Sequence, residues 1–118
     1  DIPAIANECK TYLDKTMLED VSTAAEQLKQ KNPNAMYIVV AEWLKLTESV
    51  NLKKYKIDQI YVLRKQKNTD REFRYDASYQ KNPIYADVVT HCYNNVRDFL
   101  TGDWEGGISH GLDRGYLI

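Results

Sequence analysis

The chain has 118 residues, of which 43% are hydrophobic and 28% are charged, and its formal net charge is −1 at pH 7. This length suits one domain with a core of its own, and no apolar run approaches the ~20 residues that span a bilayer. The two cysteines, Cys9 and Cys92, each fall inside an apolar element and form no spaced cluster. They are typical of reduced, buried thiols rather than of a disulfide framework or a zinc site. Without a membrane segment or a leader pattern, we expect a cytoplasmic protein.

The first ten residues form an extended run that ends in Glu8-Cys9-Lys10. Side chains alternate between the two faces of a strand, so Glu8 and Lys10 project to one side and Cys9 to the other. Asp1 lies seven positions before the glutamate.

A helix is predicted from Met17 to Lys31, because apolar residues recur there at spacings of three and four. The sequence from Thr16 to Glu19 fits a capping box at its start. Asn32-Pro33 ends it, since the residue before a proline disfavours helical geometry.

Two further strands are predicted after this helix. Residues 35–46 begin as a nearly continuous apolar run, which is typical of an interior strand covered on both faces. Residues 57–63 form the next strand, after a polar and basic stretch. Residues 68–81 show little hydrophobic periodicity and are expected to form a long loop.

The last predicted helix follows Asn82, as N-cap, and Pro83, at the first helical position. Its broad apolar stripe ends at Gly102, and all five glycines lie from there onward. We therefore divide the chain into a core over residues 1–102 and an irregular, glycine-rich segment over residues 103–118. The element order is strand, helix, strand, strand, helix, which predicts an α/β fold with two parallel strands joined by a crossover helix.

A carboxylate and an ammonium on one face of a strand, with a second carboxylate near, can bind Mg²⁺ and activate water against a phosphodiester. The motif alone favours a half-exposed strand with a surface ion pair. Motif and element order together resemble the second half of the PD-(D/E)xK nuclease core, in the form found in type II restriction endonucleases. Asp1 matches the family aspartate, Glu8 the acidic position and Lys10 the lysine.

The resemblance implies a restriction-endonuclease-like mixed sheet flanked by helices and a Mg²⁺-dependent endonuclease that cleaves double-stranded DNA. In that scheme Asp1, Glu8 and the backbone carbonyl of Cys9 bind the metal, and Lys10 orients the attacking water. The family core normally has elements ahead of this strand. The resemblance therefore implies a further N-terminal segment or a partner chain, allows a homodimer, and leaves open whether the family aspartate is Asp1 or lies upstream.

Basic residues after the second strand are candidates for nucleic-acid binding. Lys53, Lys54 and Lys56 can hold phosphates, although a solvated basic loop fits them as well. Arg71 and Arg74 in the long loop can reach base edges. Two other hypotheses remain: a non-catalytic nucleic-acid-binding or assembly module with a nuclease-like fold, and a structural α/β domain.

Overall fold

The computed structural model describes residues 2–67, 80–102 and 107–116. The elements in chain order are β1 (Ala4–Leu13), α1 (Lys15–Lys31), β2 (Ala35–Leu44), a 3₁₀ helix (Leu52–Lys54), β3 (Gln59–Val62), α2 (Ala86–Thr101) and α3 (Gly107–Arg114). The predicted order of strand, helix, strand, strand, helix is confirmed.

The three described strands form one parallel sheet in the order β1-β2-β3. β1 pairs with β2 so that Glu8 lies beside Val39 and Lys10 beside Ala41. The predicted parallel neighbours are therefore confirmed, and with them the α/β fold class. Within the described residues β1 is an edge strand, so one of its sides has no neighbouring strand there. β2 ends two residues before the predicted boundary at residue 46, and β3 is shorter than residues 57–63.

α1 packs its apolar stripe against one face of this sheet. Leu18, Val21 and Ala25 of the helix are buried with Tyr37 and Val39 of β2. Burying a side chain such as Leu18 or Val39 in this way contributes about 1.5–3 kcal/mol. This cluster is the core that fixes β1 and β2 in place.

The start of α1 corrects the predicted capping box. The helix begins at Lys15, and the N-cap is Asp14, whose carboxylate accepts a hydrogen bond from the backbone N–H of Met17 at 2.9 Å. Thr16 lies inside the first turn instead. The predicted end is confirmed, because Asn32 is the C-cap and its N–H donates to the carbonyl of Leu28.

The start of α2 also differs from the prediction. Asn82 donates from its side chain to the carbonyl of Arg64, and its backbone N–H donates to the side-chain oxygen of Gln66. Because these contacts tie Asn82 to the segment after β3, it does not cap the helix. α2 begins at Ala86, with Tyr85 as N-cap and without a side-chain capping bond, and Gly102 ends it as predicted.

α2 contacts the sheet through β3, where the Tyr61 hydroxyl bonds to Nδ1 of His91 at 2.9 Å and accepts from Asn95 at 3.1 Å. The predicted apolar stripe of this helix is only partly covered: Val89 and Leu100 remain 48% and 49% exposed.

The predicted irregular C-terminal segment is wrong for Gly107–Arg114, which form the helix α3. Among the described residues, no helix has the length and hydropathy that crossing a membrane requires.

Candidate functional site

Glu8 and Lys10 lie on the same face of β1, as the strand period predicts. The ammonium nitrogen of Lys10 is 3.8 Å from Oε1 of Glu8, and the two side chains are 34% and 33% exposed. At this distance the pair interacts through charge rather than through a hydrogen bond. Both groups therefore stay close together and within reach of solvent.

The second carboxylate oxygen of Glu8 is held by β2. The Tyr37 hydroxyl donates to Oε2 of Glu8 at 2.5 Å, and the Tyr37 side chain is 6% exposed. Burial raises the pKa of Tyr37 to about 12, and the hydrogen bond to Glu8 and its charge add to this shift. The hydroxyl thus remains a protonated donor at neutral pH and fixes the orientation of the carboxylate.

Cys9 points to the opposite face of β1 and is exposed, so the expectation of a buried thiol is wrong for this residue. Cys92 on α2 is half-buried. Desolvation by burial raises the pKa of its thiol, and the nearby Cys9 adds to the rise. Both cysteines are free thiols, as expected.

Other charged groups near the strands have structural partners. Glu42 of β2 forms an ion pair with Arg64 at 3.0 Å, and because Ala41 is the neighbour of Lys10, Glu42 points to the other face of the sheet. Arg97 pairs with Asp98 and not with Glu8. Lys10 is the cation that faces the Glu8 carboxylate in the described part of the chain.

The donor chemistry of this site suits Mg²⁺ in kind. Glu8 offers a half-exposed carboxylate, a hard oxygen ligand of the type that Mg²⁺ prefers. Across residues 2–67, 80–102 and 107–116, however, no group of three or more acidic, histidine or cysteine side chains comes together. Within the described residues, Glu8 is thus not part of a cluster of three or more potential metal ligands.

Three residues that the sequence singles out, Asp1, Arg71 and Arg74, lie outside the described residues. Their predicted roles as metal ligand and as DNA contacts stay predictions.

The three candidate DNA-binding lysines are exposed, and each lines a different pocket. Lys53 lines a pocket next to Ile57 and Gln59. Lys56 lies beside Glu26 and Lys29 of α1. Lys54 lines a third pocket, with Lys15 and Lys45.

Sequence reasoning missed Tyr37, Lys15 and Lys45. Tyr37 belongs to an apolar run and looks like an ordinary core residue until the register of β1 and β2 is known. Lys15 and Lys45 each follow a strand of the parallel pair, and strand ends meet at one edge of such a sheet. That placement is the signal that could have found the two lysines.

Comparison with known proteins places this site in context. The family model for the Bpu10I restriction endonuclease matches residues 1–117. A solved structure described as "native BbvCI A2B2 tetramer at low resolution" is similar, with a TM-score of 0.69 and 28% sequence identity over 80% of this chain. The chain spans 36% of the length of that structure's chain. No curated protein matches. The chain belongs to the Bpu10I restriction endonuclease family, and its α/β fold is that of a type II restriction endonuclease.

Proposed function

We propose that this chain carries the catalytic strand of a Mg²⁺-dependent endonuclease that hydrolyses phosphodiester bonds of double-stranded DNA, as a type II restriction enzyme of the PD-(D/E)xK class. One observation carries the proposal: Glu8 and Lys10 face the same side of β1, 3.8 Å apart and accessible to solvent, in a chain of a restriction endonuclease family.

Each residue has a role in this reaction. Glu8, the backbone carbonyl of Cys9 and Asp1 (or an aspartate upstream) would hold the metal. When bound, Mg²⁺ supplies polarisation of the scissile phosphate and a lower pKa for a coordinated water. Lys10 orients the attacking water and neutralises the negative charge that develops on the phosphate. Tyr37 keeps the Glu8 carboxylate directed toward this space.

DNA affinity would come from basic side chains outside the catalytic pair. Lys53, Lys54 and Lys56 are exposed cations suited to backbone phosphates, and Arg71 and Arg74 are the candidates for base contacts. Because such contacts are separate from the catalytic pair, binding and cleavage should respond to different substitutions.

The complete enzyme would include more than these residues. The chain spans 36% of the BbvCI chain, and that protein is described as an A2B2 tetramer. We infer that an additional N-terminal segment or a partner chain completes the core, and that the enzyme works as a homodimer or a larger assembly. Its DNA substrate implies a cytoplasmic location.

A cleavage assay tests the proposal. In the complete protein, Glu8→Gln and Lys10→Ala should each reduce plasmid cutting in Mg²⁺ by about a hundredfold or more, while duplex binding in EDTA changes little. Glu19→Gln is the matched control: an exposed glutamate on α1 whose substitution should leave cutting unchanged.

Two outcomes would contradict the assignment. If the Glu8 and Lys10 variants cut as fast as the parent, these residues are not catalytic. If the parent binds DNA in a salt-dependent way but never cuts it, the chain is a non-catalytic binding module.

A further inference from the structure

Three lysines that are distant in sequence meet at the carboxyl ends of β1 and β2. Lys15 is the first residue of α1, Lys45 directly follows β2, and Lys54 ends the 3₁₀ helix. They line one pocket of about 380 Å³. The strand ends that carry the first two are tied together, because the backbone N–H of Lys45 donates to the carbonyl of Leu13 at 2.9 Å.

The charges of these lysines are not neutralised by the part of the chain that the structure describes. Within the described residues none of the three has a carboxylate within 4.0 Å. The nearby acids are already engaged: Glu48 pairs with Lys67 at 2.7 Å, and Asp14 caps α1. The ammonium groups of Lys45 and Lys54 lie over the rings of Tyr12 and Tyr55. Three lysines without an ion-pair partner among the described residues give the pocket they line a positive potential.

The remaining polar lining adds hydrogen-bonding groups of the right kind. Thr47 and Ser49 line the same pocket, and their hydroxyl oxygens are 2.7 Å apart. Ammonium and hydroxyl groups together are the usual side-chain partners of phosphate oxygens. The pocket therefore has the chemistry of a phosphate site.

The position of the pocket relates it to the catalytic strand. Lys45 lies over the ring of Tyr12, 5.8 Å from its centroid. Tyr12 shares the face of β1 with Glu8 and Lys10, and lies about 13 Å from Glu8 at the usual rise per residue. A DNA strand with a phosphate at Lys10 would pass this pocket within a few nucleotides.

We propose that Lys15, Lys45 and Lys54 converge on a single backbone phosphate of the bound DNA, a few nucleotides from the cut. This rests on the proposed DNA-cleaving function and adds a site to it. In this proposal Lys54 binds DNA together with Lys15 and Lys45, and not together with its sequence neighbours Lys53 and Lys56.

The salt dependence of DNA binding tests whether the three lysines contact one phosphate. Fluorescence anisotropy in EDTA would measure the affinity of the complete protein for one duplex over a series of salt concentrations. Each neutralised phosphate contributes about 0.9 to the slope of log K against log[salt]. The triple variant Lys15→Ala, Lys45→Ala, Lys54→Ala should lower that slope by about 0.9 in total, whereas three separate contacts would lower it by about 2.7.

Control variants separate charge from folding. The triple Lys→Arg variant keeps the charges and should keep the slope. Lys31→Ala, at the far end of α1, should bind as the parent does. The proposal of one shared phosphate is overturned if the alanine triple variant keeps the parental slope, or if its slope falls by about 2.7.

A second measurement changes the DNA and leaves the pocket intact. Duplexes that each carry one methylphosphonate, a neutral replacement for one phosphate, are compared for the parent and for Lys54→Ala. One position should weaken parental binding and have a much smaller effect on the variant. The absence of any such position overturns the proposal even if the triple variant fails to fold.

The two proposals fail in distinguishable ways. If the parent cuts DNA in Mg²⁺ but the alanine triple variant has the same salt slope, the nuclease proposal stands and the phosphate-site proposal is contradicted. A parent that neither binds nor cuts DNA loses both.

Discussion

Tyr37 is held at its backbone as well as at its hydroxyl. Its N–H donates to Oδ2 of Asp58 at 2.7 Å, and its carbonyl accepts from the Asp58 N–H at 2.9 Å. Asp58 is in turn paired with Lys29 of α1 at 2.8 Å. Through this chain of contacts the loop before β3 and the crossover helix both fix the residue that orients Glu8. An ordinary core tyrosine therefore has a positioning role at the candidate site.

The first prediction tests that role. Tyr37→Phe removes the hydrogen bond to Glu8 but keeps the buried ring, so the carboxylate gains rotamer freedom. Loss of such a supporting partner typically costs 10- to 100-fold in metal affinity or activity. We expect cutting by the complete protein to fall by about tenfold or more, and the Mg²⁺ concentration for half-maximal cutting to rise.

Tyr61→Phe is the matched control, because its hydroxyl bonds to His91 and Asn95 on the opposite face of the sheet. It should lower the free energy of unfolding without changing the Mg²⁺ dependence. If both variants change Mg²⁺ dependence equally, the effect of Tyr37 is on general stability.

At the scale of the element, the start of α1 depends on one side chain. Asp14 lies between the last residue of β1 and the first of α1, and its carboxylate satisfies the Met17 N–H. A helix needs such a partner because its first N–H groups have none within the helix. The cap thus fixes how closely the helix follows β1.

The second prediction compares the observed cap with the sequence-predicted one. Asp14→Ala should lower the free energy of unfolding by about 1 kcal/mol. Asp14→Asn should retain most of this capping stabilisation. Thr16→Ala should cost little, because alanine suits a helical position better than threonine. Urea unfolding followed by circular dichroism measures the stability of all three variants. If Thr16→Ala lowers the free energy of unfolding as much as Asp14→Ala does, the predicted capping box at Thr16 is supported instead.

At the scale of the whole molecule, the two faces of the sheet are covered unequally. α1 closes one face with a fully buried core, whereas α2 has no buried residue and leaves Cys9 of β1 exposed. The radius of gyration of 17.3 Å exceeds the roughly 13–14 Å expected for a compact domain of this length. The molecule is elongated, and its main core cluster lies on the α1 face, although Ile38 and Tyr61 are buried on the other face.

The third prediction tests the unequal exposure of two thiols on the α2 side of the sheet by alkylation of the 118-residue chain. Cys9 should react with iodoacetamide faster than Cys92, because Cys9 is exposed, while Cys92 is half-buried and its raised pKa lowers the fraction of thiolate. The single variants Cys9→Ser and Cys92→Ser, followed by mass spectrometry, assign each rate. Equal rates would contradict the difference in exposure between Cys9 and Cys92.

The sequence by itself determined the element order and the shared face of Glu8 and Lys10. Both depend on local periods, of two residues in a strand and three to four in a helix, which are present before the chain folds. The parallel pairing of β1 and β2 also followed, because a strand, helix and strand in succession have few ways to join one sheet.

Only the tertiary structure decided the partners of these residues. Tyr37 reaches Glu8 through the register of two strands that lie about thirty positions apart in sequence. Asn82 does not cap α2 as predicted, because it forms hydrogen bonds to Arg64 and Gln66. Lys15 and Lys45 line one pocket because parallel strands bring their carboxyl ends to one edge, and the 3₁₀ helix adds Lys54 to it. Such contacts join segments that are distant in sequence, so no local pattern of residues encodes them.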